Sequence, residues 1–179
     1  MHRWYTTPGA CCIRDGMDGI VPKLKAADTF VLATPVHIPL TERMQTFIDR
    51  LCPLIEPWLE FRAGRTRGRL RTDDALRRFV LLVTGGWWER GNCDTVVRII
   101  AELAADAGVE FAGALVRSHA FLMRSEDGPT ADGQAVLEAA KRPGRESADA
   151  GGMRPETLAE ASRPIIAEQD LRRLYDAWA

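Results

Sequence analysis

Residues 27–50, ADTFVLATPVHIPLTERMQTFIDR, constrain the fold more than any other part of the chain. Phe30, Val31, Leu32 and Ala33 make a short, wholly apolar run. A run without polar alternation suits a strand buried on both faces of a parallel sheet. Pro35 and Pro39 then bracket a stiff loop, since each ring fixes φ and removes a backbone donor. Thr41 is placed to cap a helix, with Glu42 suitably acidic in the first turn. Met44, Phe47, Ile48 and Leu51 recur at helical spacing, and Pro53 closes the run. A strand that stops in a rigid turn just before a helix is how an open α/β sheet builds a lip for a ligand.

The alternation continues on both sides. Residues 17–27 can form a helix with Met17, Ile20, Val21 and Leu24 on one side, and Pro22 marks a kink or a late start. A second buried strand over 79–83 runs into Thr84-Gly85-Gly86. Asp94 is placed to cap a helix reaching Ala107, with Val96, Val97, Ile100 and Leu103 turned inward and Gly108 as its stop. A third strand is expected over 109–116, then a helix over 130–141 that Pro143 and Gly144 break. Residues 56–78 carry seven arginines together with Gly64 and Gly68, which predicts an exposed connection. The order predicts an α/β domain over residues 1–150, a parallel sheet covered by helices. Residues 151–179 are expected to form a helical tail. One piece starts at Pro155, and the other sets Leu171, Leu174, Tyr175 and Trp178 opposite Arg172, Arg173 and Asp176.

A length of 179 residues fits one such domain plus the tail. The net charge of −1 argues against a general affinity for nucleic acid or an anionic membrane. No apolar run approaches the roughly 20 residues that cross a bilayer. The opening MHRWYTTPGACC has no continuous apolar segment, so no signal peptide is expected. Cys11, Cys12, Cys52 and Cys93 are too few and too scattered for a disulfide framework, which makes the reducing cytoplasm the expected compartment. The spacing of His2, His37 and His119 matches no metal motif, and no Gly-x-Ser-x-Gly elbow or Walker loop occurs.

Asp28, then Pro35-Val36-His37, then Phe47-Ile48-Asp49-Arg50 follow a pattern of aspartate, apolar strand, Pro-Val-Tyr and a helix ending in Phe-Ile-Asp-Arg. This resembles the flavin-contacting segment of the NADPH-dependent FMN reductase group in the flavodoxin-like family. Cys11-Cys12-Ile13-Arg14-Asp15-Gly16-Met17 is similar to a further family segment, Cys-x-Ile-x-Asp-Asp-Met, with Gly16 in place of the second aspartate. The likeness runs from about Cys11 to about Arg145. It implies a flavodoxin-like, three-layer parallel sheet, FMN as cofactor, NAD(P)H as electron donor, a small-molecule electron acceptor and a homo-oligomer. In that chemistry the flavin transfers hydride and electrons while the protein orients and tunes it. Aligned this way, the three strands correspond to the family's third, fourth and fifth. The first strand and the Ser/Thr/Gly-rich loop that holds the flavin phosphate have no counterpart, so the sheet is expected to be incomplete at its N-terminal side and the chain to be a shortened version of a longer protein. The other reading is a non-catalytic flavodoxin-like remnant that serves as an interaction or oligomerisation module.

The resemblance places the flavin ring against Thr34, Pro35, Val36 and His37 after the first strand, and Gly85, Gly86 and Trp87 after the second. Glycines let a ligand approach the backbone, and Trp87 or Trp88 can cover a ring face. Trp87 and Trp88 cannot both do so in an extended backbone, because neighbouring side chains point oppositely. The plainer readings are an ordinary strand-to-helix turn with a surface histidine, and tryptophans that pack against the tail or a second subunit. Adjacent Cys11 and Cys12 cannot supply the four thiolates of an iron–sulfur cluster, so no metal is expected. The arginines from Arg62 to Arg78 read as a solvated loop in preference to an anion site. His119 lies just past the third strand, alone.

Overall fold

Every central strand is parallel to its neighbour. The computed structural model describes residues 5–178. Helix α1 (Met17–Ala26) leads into β1 (Thr29–Pro35), α2 (Glu42–Asp49), a short antiparallel hairpin of β2 (Glu60–Arg62) and β3 (Arg65–Arg67), then β4 (Arg78–Thr84), α3 (Asp94–Ala107) and β5 (Glu110–Arg117). A two-residue hairpin, β6 (Arg124–Ser125) with β7 (Gly128–Pro129), precedes α4 (Ala131–Ala150), α5 (Pro155–Ala161) and α6 (Glu168–Asp176). The central sheet has the order β1-β4-β5. In register Leu32 pairs with Leu81 and Leu82 with Leu115.

Alternation along the strands divides the side chains between two faces. Leu32, Phe79, Leu81 and Val83 are buried with Val96, Ile100 and Ala104 of α3 in the main core. Phe30 bridges that core to a smaller one built from Met17, Leu51 and Leu54, and packs edge-on against Phe47 and Phe79. On the other face α4 lies over the β5 side, where Leu115, Pro143 and Ser147 share a groove with Val31 and Leu82. That cover is partial. Val31 is 57% exposed and Leu82, on the central strand, 37%.

Local chemistry accounts for most boundaries. Thr41 Oγ1 accepts from Met44 N–H at 3.2 Å and starts α2. Gly108, at φ 76°, ends α3 in the left-handed conformation that a Cβ disfavours. Asp15 receives Arg50 in two hydrogen bonds of 2.6 and 3.0 Å and also accepts Met17 N–H at 2.9 Å. The cysteine-containing segment and the Phe-Ile-Asp-Arg segment therefore meet, and they fix α1 against the end of α2.

Two expectations require correction. Helix α4 passes through Pro143 and Gly144 as one element of 20 residues instead of breaking there. A proline inside a helix costs about 3 kcal/mol. Here Pro143 is fully buried against the sheet, and α4 is held at its start by Thr130 Oγ1, which accepts from Gly133 N–H at 3.0 Å. Residues 56–78 are also more than a solvated connection. Arg62 donates to the Ala105 and Asp106 carbonyls at 2.7 and 3.0 Å and closes the C-terminal end of α3. Arg65 and Arg67 both reach Glu102, and Arg71 pairs with buried Glu56. The tail packs onto the sheet, with Ala161 and Leu171 fully buried. No helix among the described residues is long and apolar enough to cross a membrane.

Candidate functional site

Parallel pairing puts the ends of β1 and β4 side by side, so the loops that follow them open on the same edge of the sheet. The ladder extends one step further, since Val36 N–H donates to Thr84 O at 2.8 Å. His37 N–H turns back to Pro39 O at 3.3 Å. The next loop is tied to β5: Gly85 N–H donates to Arg117 O at 2.8 Å, and Gly85 O accepts from Ala120 N–H at 3.1 Å. Between the two loops lies a cleft of about 360 Å³.

Val36, His37, Gly85, Gly86 and Trp87 all line this cleft. Five of the seven residues singled out from the sequence are thus brought together. Thr34 and Pro35 are not among the lining residues. Thr34 is buried, with its hydroxyl donating to Pro35 O at 3.0 Å, and Pro35 pairs with Thr84 as the last rung of the strand. Trp88 points elsewhere and stacks on His119 at 5.4 Å and 10°. The sequence reading did not find Ile38, Glu89, Asn92 and Cys93, which complete the wall. Ile38 was signalled only by its place between two loop residues. Glu89, Asn92 and Cys93 come from the short turn of 3-10 helix (Arg90–Cys93) and the residue before it, a turn that carries no strong composition cue.

Apolar and aromatic side chains dominate. Trp87 is 57% and Ile38 82% exposed, so both offer surface to a ligand. Ile38 also holds φ at 37°, a region that β-branched residues rarely enter. Cys93 is buried at the back, its thiol pushed up by burial and by Asp94, so it remains protonated at neutral pH. The one carboxylate, Glu89, is held by Arg172 at 3.2 Å and by the Asn92 amide at 3.5 Å.

A second layer supports the glycine loop. His119 is 2% exposed, and its Nε2 accepts from Arg117 Nη2 at 3.0 Å and from Ile165 N–H at 3.4 Å. Arginine has only donors, so the imidazole is neutral with its proton on Nδ1. Burial, and then the neighbouring Arg117 charge, push His119 down to about 4. Arg117 itself donates to Arg163 O at 2.7 Å and Ser118 O at 3.0 Å, which fastens the tail to the end of β5. Tyr175 OH donates to Gly86 O, and Tyr175 packs with Phe121 and Trp178. His119 therefore stiffens the loop from behind and does not line the cleft.

No protein-family model, curated protein or solved structure matches the chain.

Proposed function

We propose that the chain is an FMN-dependent oxidoreductase, similar to the NADPH-dependent FMN reductases of the flavodoxin-like family, which takes electrons from NAD(P)H and passes them to a small-molecule acceptor. The supporting observation is the shared cleft, with Val36 and His37 on one side and Gly85, Gly86 and Trp87 on the other, at the carboxyl ends of adjacent parallel strands. Ligands of open α/β sheets sit in such crevices. On this reading β1, β4 and β5 are the third, fourth and fifth strands of a flavodoxin-like sheet, and the open β1 edge is where the first would lie. Exposed Trp58, Leu59 and Phe61 offer the apolar surface for a homo-oligomer.

The lining residues suit a planar ring. A Cβ built on Gly86 meets nothing within 4 Å, so a ring can come close to that backbone. Trp87 covers one ring face, a contact worth about 0.5–1.5 kcal/mol beyond simple burial. Val36 and Ile38 supply apolar wall, His37 a smaller flat surface, and Asn92 a polar group for a ring edge. A bound flavin supplies the hydride and electron transfer. The chain positions the ring, excludes water from one side of it, and holds both loops rigid through the strand ends and Tyr175.

A second reading, a non-catalytic flavodoxin-like module that works through its sheet, is favoured by the exposure of Val31 and Leu82. Flavin fluorescence during titration with the protein separates the two. Quenching with micromolar or tighter affinity is expected for the enzyme, and for Trp87→Ala an affinity at least about tenfold weaker. Absence of quenching at high micromolar protein supports the second reading.

A further inference from the structure

We infer that strand β1 is an interface: two copies of this chain pair antiparallel along it, with Val31 on the two-fold axis, and join their three-stranded sheets edge to edge. The inference does not rest on the flavin reading. Main-chain geometry decides which groups are on offer. Asp28 O accepts from Arg78 N–H at 3.2 Å, and Val36 N–H donates to Thr84 O at 2.8 Å. The donor and acceptor of one residue point to the same side, and the side alternates along a strand, so Phe30, Leu32 and Thr34 also turn theirs to β4. Those of Thr29, Val31 and Ala33 turn outward, where among the described residues no strand pairs. Both ends of this row are closed. Ala27 N–H is held by Leu24 O at 3.3 Å. Pro35 has no N–H, and its carbonyl accepts the Thr34 hydroxyl at 3.0 Å.

A row bounded in this way selects its partner. An antiparallel copy with Val31 facing Val31 sets Thr29 opposite Ala33 in both directions, and about six main-chain hydrogen bonds then use every outward group of the row. A shift of two residues either way brings Ala27 or Pro35 into the ladder and loses bonds. No charged side chain lies between Thr29 and Pro35, and Asp28 falls opposite Thr34 instead of its own copy, so like charges stay apart. Val31, 57% exposed, meets its own copy as a β-branched pair on the face that α4 covers only in part. It already lines the apolar groove with Leu82 and Pro143, so the two grooves join across the axis.

The test is sedimentation equilibrium of the full chain from about 5 to about 500 µM, with amide hydrogen exchange read by NMR at both ends of that range. The expected result is a reversible dimer in which the Thr29, Val31 and Ala33 amides exchange at least about fivefold more slowly at the high concentration. Phe30, Leu32 and Thr34, bonded to β4 throughout, keep the same protection at both. Ala33→Pro removes an outward N–H from each copy and no bond to β4, and Val31→Lys sets two like charges on the axis. Each is expected to weaken the dimer at least about tenfold and to leave the circular dichroism spectrum unchanged. A chain that stays monomeric at the highest concentration overturns the inference and leaves the edge to a strand of different sequence. A dimer in which the three amides exchange freely, or one that both variants leave intact, overturns it too and places the interface elsewhere.

Discussion

Gly86 and Trp87 are adjacent, and their substitutions probe different things. The Gly86 backbone has room for a side chain, so Gly86→Val leaves the fold intact and fills the cleft. The expected outcome is an unchanged circular dichroism spectrum and the loss of flavin binding. Gly85 is a poorer place for this experiment, because an added Cβ there lies 3.4 Å from Cys93 Sγ. His119 acts through protonation. Its pKa is depressed from 6.5 to about 4, so the unfolded chain takes up the proton first as pH falls. Its contribution is complete above pH 6.5 and is lost progressively towards pH 4. Urea unfolding is expected to show a loss on the order of 2–3 kcal/mol across that window. His119→Gln, which keeps an acceptor for Arg117, is expected to flatten the slope. An equal slope in the variant places the titrating group elsewhere.

Helix α6 is more than an appendage, because it reaches the site loop. Leu171 is fully buried, and Leu171→Ala is expected to cost about 2–5 kcal/mol in chemical denaturation. It should also loosen the Gly86 loop that Tyr175 holds. Helices α4 and α5 are joined at Glu146, which takes Arg154 Nε at 2.7 Å, Arg154 N–H at 2.9 Å and the Thr157 hydroxyl at 2.6 Å. Those bonds, Arg154 first, hold its carboxyl at about 2, well below the ordinary 4.5. The stabilisation is present above pH 4.5 and declines as pH falls towards 2, so Glu146→Gln is expected to blunt acid unfolding below pH 4.5 and to leave the His119 window unchanged. The elements legible in the sequence were those governed by neighbouring residues. The apolar run of β1, the Thr41 cap and the Gly108 stop needed no distant partner. Pro143 was misread because burial against the sheet outweighs its local effect. The arginines of 56–78 were misread because Glu102 and the Ala105 and Asp106 carbonyls lie some 35 to 44 residues away. Glu89 and Asn92 were missed for a similar reason, since only the packed turn before α3 brings them to the cleft.

Among the described residues no strand pairs with the outer side of β1. Strand β1 is an edge, no charged residue interrupts it between Thr29 and Pro35, and Val31 is largely exposed on it. Edges of this kind pair with other chains unless charge or cover prevents it. Val31→Lys is expected to lower self-association in concentration-dependent light scattering with little change in stability, and unchanged association would place the adhesive surface elsewhere, for instance at Trp58 and Phe61. At the opposite pole of the sheet's chemistry are the carboxyl ends of β1 and β4, on which the functional reading depends. The most direct test is amide NMR of the isotope-labelled chain during FMN addition. The account predicts that resonances of Val36, His37, Ile38, Gly85, Gly86 and Trp87 shift together along one binding curve, and a spectrum unchanged at saturating FMN, or shifts confined to residues outside these two loops, would contradict it.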